Sequence, residues 1–181
     1  MIDLVDEARL LTLLRGRGAE REAAVRELFE LTRTSLFGLA LRMTGRPDLA
    51  DDAVQETFVD VLRGIAGFRG DARLTTWLFR VAVRASTRVA SRARGREEVL
   101  PDDLDAGSRD PSHSATQRDS AARILRAIAA LPAPLRAVVA LSALEGLAQT
   151  EVAQVLGIPS GTVYSRLHEA RARLREALSV S

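Results

Sequence analysis

Hydroxyls, one aromatic ring, an imidazole and four guanidiniums crowd together between Ser160 and Arg175. Side chains of these types donate to phosphate oxygens and to base edges, so the chemistry they suggest is nucleic-acid recognition. Positioning them requires a helix. Val163, Leu167, Ala170, Leu174 and Leu178 recur at intervals of three and four, which predicts one buried stripe. The remaining faces then display Thr162, Tyr164, Ser165, Arg166, His168, Arg171, Arg173 and Arg175. Ser160 is placed to cap this helix, and Pro159 blocks continuation from the segment before it. Upstream, Val152, Ala153, Val155 and Leu156 outline a shorter helix, with Thr150 as its expected N-cap and Gly157 as its expected terminator. The pattern suits a helix-turn-helix with a recognition helix for the major groove. An ordinary helical hairpin with a solvated basic face is the competing reading, but caps, glycine, proline and stripe agree on the former. Glu169 weakens the positive field slightly.

A second cationic row lies at Arg80, Arg84, Arg88 and Arg92, one residue per helical turn. Like charges at this spacing oppose helix formation by roughly 0.2–0.5 kcal/mol per pair. No carboxylate occurs between Arg73 and Arg96 to relieve them, so the row suits a phosphate backbone or a solvated face. Just before it, the segment from Phe68 to Phe79 interleaves Phe68, Trp77 and Phe79 with Arg69 and Arg73. Aromatic rings beside cations form stacking platforms for unpaired bases. Helical spacing gives Trp77 and Phe79 an equal claim to the core. The opposite stripe, Asp52, Glu56 and Asp60, has Gln55 and Asp51 beside it. That face would repel DNA, and it suits either a basic protein partner or water.

Composition narrows the remaining classes. The chain of 181 residues has no cysteine, which removes disulfides, thiolate metal sites and cysteine nucleophiles. Its two histidines, His113 and His168, are far apart in sequence, and no P-loop or glycine-rich fingerprint occurs. No catalytic constellation, cofactor site or metal site can be assembled, so a non-enzyme is expected. The N-terminus, MIDLVDEARLL, lacks the apolar core of a secretory signal, and no apolar run is long enough to span a membrane. A cytoplasmic protein without membrane insertion is expected.

Charge divides the chain. Residues 1–94 carry 16 arginines against 13 carboxylates, residues 95–118 three against six, and residues 119–181 seven against five. The acidic middle piece, rich in proline, glycine and serine, reads as a flexible linker between two small helical domains. Extended, it would reach ~80 Å, enough to let the domains engage separate stretches of one duplex. No period-two alternation marks a strand, so the fold expected is all-α. Helices are expected over Val25–Met43, Leu49–Ile65 with Asp48 as cap, Leu74–Ala93, Ala115–Ala130 and Leu135–Leu144, followed by the helix-turn-helix.

With these segments in place, ADDAVQETFVDV (Ala50–Val61) and GFRGDARLTTWLFRVA (Gly67–Ala82) resemble region 2 of bacterial RNA polymerase sigma factors. Leu131–Leu178 resembles their region 4. Two such regions with only a short linker between them is the layout of the extracytoplasmic-function (ECF) group. The resemblance implies that Asp51, Asp52, Gln55, Glu56 and Asp60 dock on the β′ clamp helices of core polymerase, and that the β flap is a further contact. It implies that Phe68, Arg69, Arg73, Trp77, Arg80, Arg84 and Arg88 open and hold the −10 element. Ser160, Thr162, Tyr164, Ser165, Arg166, His168, Arg171 and Arg173 would face the −35 element, with Arg166 and Arg171 foremost. Promoter DNA, core polymerase and an anti-sigma factor are the implied partners, and the acidic linker would run toward the RNA exit path. Arg84 and Arg88 stand where the family usually has asparagine and aspartate, and Glu169 replaces a commonly basic residue. An autonomous helix-turn-helix regulator of the LuxR kind is the alternative, but it leaves the arginine row and the QETF segment unexplained.

Overall fold

The computed structural model describes residues 4–97, 115–144 and 147–179. Among them are eight α-helices: α1 (Leu4–Arg15), α2 (Ala19–Thr44), α3 (Pro47–Gly64), α4 (Leu74–Glu97), α5 (Ala115–Ala130), α6 (Ala133–Ser142), α7 (Gln149–Leu156) and α8 (Ser160–Ser179). A 3-10 turn, Ile65–Gly67, follows α3. The all-α expectation holds.

Local chemistry sets the boundaries. Helix α2 stops because Gly45 adopts the left-handed conformation, φ 77°, and donates its N–H to the Leu41 carbonyl at 2.8 Å. The next helix begins with Pro47 at its first position and Arg46 as the N-cap. Asp48 is therefore not the cap expected from sequence. It sits in the first turn, where its carboxylate suits the positive end of the helix and bonds the Arg46 guanidinium at 2.7 Å. Helix α4 runs past the expected Ala93 to Glu97, and α5 starts at Ala115. The ends of the expected linker are thus helical, and its centre, 98–114, lies outside the described residues.

Helices α2, α3 and α4 pack mutually around Leu28, Leu36, Leu39, Val61, Leu74 and Leu78. Phe29 meets Phe58 edge-on, ring centroids 4.9 Å apart. Helix α1, which sequence reading did not identify, buries Leu10 and Leu14 completely against this bundle. Burial of that kind stabilises by about 1.5–3 kcal/mol per side chain.

In the second half, α6 and α7 bury Val138, Leu141, Val152 and Val155 against Val163 and Leu167 of α8. Sequence reading treated the halves as separately engaged units. Here α5 and α6 pack on α2, α7 packs on α4, and one apolar cluster runs from Leu10 to Leu167. A Cβ built on Gly45 would lie 2.6 Å from the Ala129 Cβ, so glycine is what allows α5 to approach the end of α2.

Candidate nucleic-acid interface

Helix α7 begins at Gln149 with Ala148 as N-cap, and Thr150 lies inside the first turn. The expected threonine cap is replaced by Glu151, whose carboxylate accepts the Ala148 N–H at 2.9 Å. At the other end Gly157, φ 66°, donates to Gln154 and Ile158 donates to Ala153, at 3.3 and 3.1 Å. This double closure fixes the turn into α8, as the glycine predicted. Val163, Leu167 and Ala170 are buried as the stripe required, while Leu174 and Leu178 are half-buried.

The opposite side of α8 faces solvent. Ser160, Ser165, His168, Arg171 and Arg173 are exposed, and Thr162 and Arg166 are half-buried. Tyr164 is 65% exposed, which leaves a large ring uncovered near the start of the helix. Groups near the N-terminal end of a recognition helix are the ones that meet base edges in helix-turn-helix proteins. Glu169 holds Arg173 at 2.8 Å, four residues along the same face. The arginine is thereby oriented, although an exposed pair contributes little stability.

The α4 face is different. Arg88 pairs with Asp60 at 2.5 Å and with Glu56 at 3.5 Å, and Arg92 pairs with Glu56. The expectation that nothing relieves the arginine row is therefore corrected: the acidic stripe of α3 lies alongside it. Arg80 reaches the C-terminal end of α7, donating to the Gln154 and Val155 carbonyls at 2.7 and 3.3 Å. A cation at a helix C-terminus complements the negative end of its dipole. Arg73 meets Glu151 at 3.2 Å and lies 3.9 Å from Glu7. Of the row, Arg84 is exposed and makes no ion pair among the described residues.

The loop before α4 divides in the same way. Phe68 is only 7% exposed and packs on half-buried Trp77 with centroids 5.3 Å apart, while its carbonyl accepts from Arg15. Phe79 is buried as well. In this arrangement Phe68 and Phe79 belong to the core rather than to an open stacking platform. Arg69, exposed and paired with Asp71 at 3.2 Å, stays at the surface.

The polymerase-docking candidates also separate. Asp51, Asp52 and Gln55 are exposed, whereas Glu56 and Asp60 are half-buried under Arg88 and Arg92. Asp51 and Gln55 line a groove of about 680 Å³ between α2 and α3, together with Phe29, Arg33, Thr34, Phe37 and Val54. Sequence reading did not single out Arg33, Thr34 or Phe37. The signal for them was their position one to two turns along α2 from Phe29, facing the QETF helix.

Comparison with known proteins matches residues 28–96 to Sigma-70 region 2 and residues 121–174 to Sigma-70 region 4. The ECF RNA polymerase sigma factor SigM of Mycobacterium tuberculosis is 33% identical over 92% of this chain and 83% of the relative. The ECF RNA polymerase sigma-E factor of Haemophilus influenzae is 33% identical, over 78% of this chain and 80% of its own length. The chain spans only 57% of the length of Mycolicibacterium smegmatis SigE, at 35% identity over 80% of this chain. Among solved structures, the sigma factor RpoE in complex with the anti-sigma factor NepR from Bartonella quintana has a TM-score of 0.65. It is 26% identical, covering 86% of this chain and 97% of that one. CnrH, solved in complex with the cytosolic domain of CnrY, shares the fold at a TM-score of 0.71, with 23% identity over 97% of this chain and 98% of that one. Among the described residues no helix is long and apolar enough to cross a membrane. With region 2 and region 4 in their expected order, the chain belongs to the extracytoplasmic-function sigma factors of RNA polymerase.

Proposed function

We propose that this chain joins core RNA polymerase in the cytoplasm and directs initiation at promoters whose −35 element is read by the exposed face of α8. It performs no bond chemistry of its own. The observation that carries this reading is the α8 surface: Tyr164, His168 and Arg171 are exposed while Val163, Leu167 and Ala170 anchor the opposite side. Arg166 and Arg171 supply contacts to base or phosphate, and Ser160, Thr162, Ser165 and Arg173 flank them.

The −10 element falls to α4 and the loop before it, through Arg69, Arg73, Trp77, Arg80, Arg84 and Arg88. In the packing described above, Arg73 and Arg80 are engaged by α7, so α7 must leave α4 before DNA can reach them. Phe68 must likewise leave its place against Trp77 if it is to hold a base. The groove between α2 and α3, lined by Asp51 and Gln55, suits the β′ clamp helices together with exposed Asp52, and region 4 suits the β flap. Glu56 and Asp60 are held on the α4 side of the same helix by Arg88, which must release them before it can meet DNA. An anti-sigma factor is the expected regulator, in keeping with the complex of RpoE with the anti-sigma factor NepR. The division into a region 2 unit (1–94), an acidic linker (95–118) and a region 4 unit (119–181) then describes how the halves separate on loading.

Reconstitution tests this. The chain is added to core polymerase, and transcript start sites are mapped on genomic DNA. A sigma factor yields discrete starts with a shared upstream element and binds duplex weakly alone. Tight site-specific binding by the isolated chain, with no selectivity conferred on polymerase, would overturn the reading.

A further inference from the structure

A third cationic feature lies away from the arginine row of α4 and the exposed face of α8, where the halves of the molecule meet. Arg136 of α6 is only 3% exposed, and its Nη1 donates to the Met43 carbonyl at 2.8 Å. Its Nε is buried with no acceptor, and no carboxylate pairs with it among the described residues. Burying a charge without a counter-charge is unfavourable, and removing one partner of a buried pair is among the more damaging changes known. The neighbourhood adds to the imbalance. Arg94 of α4 also makes no ion pair among the described residues and lies close enough to depress the proton affinity of Arg136, second to the effect of burial itself.

A cavity of about 140 Å³ opens between them, lined by Arg46, Arg94 and Arg136 and by the small side chains Ala90, Ala93 and Ala129. None of its lining residues is acidic. The nearest carboxylate in sequence, Asp48, is bound by Arg46 at 2.7 and 3.2 Å. We infer that this cavity is a binding site for a small tetrahedral oxyanion of the phosphate class, held by Arg94 and Arg136 at the seam between α2–α4 and α5–α6. The guanidinium fork matches two oxygens of such an ion at once, and Arg136 Nε gains the acceptor it lacks. The volume is well below that of pockets for nucleotide-sized ligands, which favours the free ion. An ion here bridges helices from both halves, so its binding stabilises the packed arrangement.

The test titrates inorganic phosphate into the full-length chain in chloride buffer at constant ionic strength, by calorimetry and by thermal unfolding. The expected result is one saturable site and an unfolding midpoint that rises with phosphate. Arg94→Gln, at an exposed position, weakens binding by about tenfold and removes most of that rise. Arg26→Gln, exposed on α2 and remote from the cavity, retains both. No heat beyond the chloride control, or unchanged affinity in Arg94→Gln, overturns the site. A single-stranded oligonucleotide of arbitrary sequence forms the third arm. Displacement of phosphate by it in an Arg94-dependent manner would reassign the cavity to a nucleic-acid backbone and overturn the free-ion assignment. None of these readouts depends on promoter selectivity, so the inference stands or falls apart from the proposed function.

Discussion

Two helices of this protein carry rows of arginine, and their surroundings differ. On α8 the guanidiniums of Arg171 and Arg173 extend into solvent, and among the described residues they form one ion pair, Arg173 with Glu169 on the same helix. On α4, Arg80, Arg88 and Arg92 are tied to other elements: α7 carbonyls for the first, α3 carboxylates for the others. Spacing of like charges therefore does not distinguish a surface ready for a ligand from one already satisfied within the fold. What distinguishes them is the neighbouring helix. An antiparallel partner with carboxylates at the same four-residue interval converts repulsion along one helix into attraction between two.

That contrast yields predictions of graded size. The largest concerns α8: the double change Arg166→Ala and Arg171→Ala should lower promoter-specific transcription by about a hundredfold or more, since each good base contact is worth ~1–3 kcal/mol. Thermal unfolding of the same variant should stay close to the parent, because Arg171 is exposed and Arg166 is only half-buried, with no ion pair among the described residues. A lost transcript together with a lost fold would mean that α8's arginines are structural after all. Gly45→Ala comes next. Its left-handed backbone and the 2.6 Å approach to Ala129 together should cost ~1–3 kcal/mol in denaturant titration, loosening α5 from α2. An unaltered midpoint would show that the seam yields easily.

On α4, Arg88→Ala should reduce stability by ~1 kcal/mol or less, because the pair it breaks is partly exposed. The loss should shrink in high salt, in contrast to the α8 changes, which leave stability alone at any salt. Equal stability of Arg88→Ala and parent in low salt would return that arginine to the class of free surface charges. The smallest effect belongs to Asp48. Its hydrogen bond from Arg46 holds the carboxyl below the ordinary value of 3.8, with smaller opposition from burial. A carboxyl whose acidity is raised by folding adds stability above the unfolded-state value, and that contribution disappears as pH falls through the folded value. Asp48→Asn should therefore unfold slightly earlier than the parent at neutral pH and indistinguishably from it well below pH 3.8. Thermal scans across that range check the sign.

What could be read from the residues alone was whatever local chemistry decides. Gly157, Pro159 and the Val163–Leu167–Ala170 stripe define the helix-turn-helix because capping and periodicity act within a few residues. The caps expected at Asp48 and Thr150 each lie two positions earlier, at Arg46 and Ala148, since Pro47 and Glu151 supply competing ways to begin a helix. The docking of α7 on α4 left no mark in the pattern. Arg80 bonds backbone carbonyls 74 and 75 residues away, and any sequence offers carbonyls. The Arg88–Asp60 pairing did leave one: the matching intervals of Asp52, Glu56, Asp60 and Arg84, Arg88, Arg92 were both visible, but each was read against an external partner. Phe68 shows the same limit, because an aromatic in a basic loop reads alike whether it stacks on a base or on Trp77.

The carboxylate of Glu7 reaches from α1 to the Leu74 N–H, at the first turn of α4, and lies beside Arg73. Residue 7 falls well before residue 28, where the region 2 match begins. Shortening the chain to the recognisable family segment would thus remove a clamp from the very start of α4, the helix proposed above to open promoters, together with Leu10 and Leu14, which pack against the bundle. Fraying should then begin at Leu74 and spread toward Trp77, so a truncated chain that still binds polymerase would be expected to engage promoters yet open them poorly.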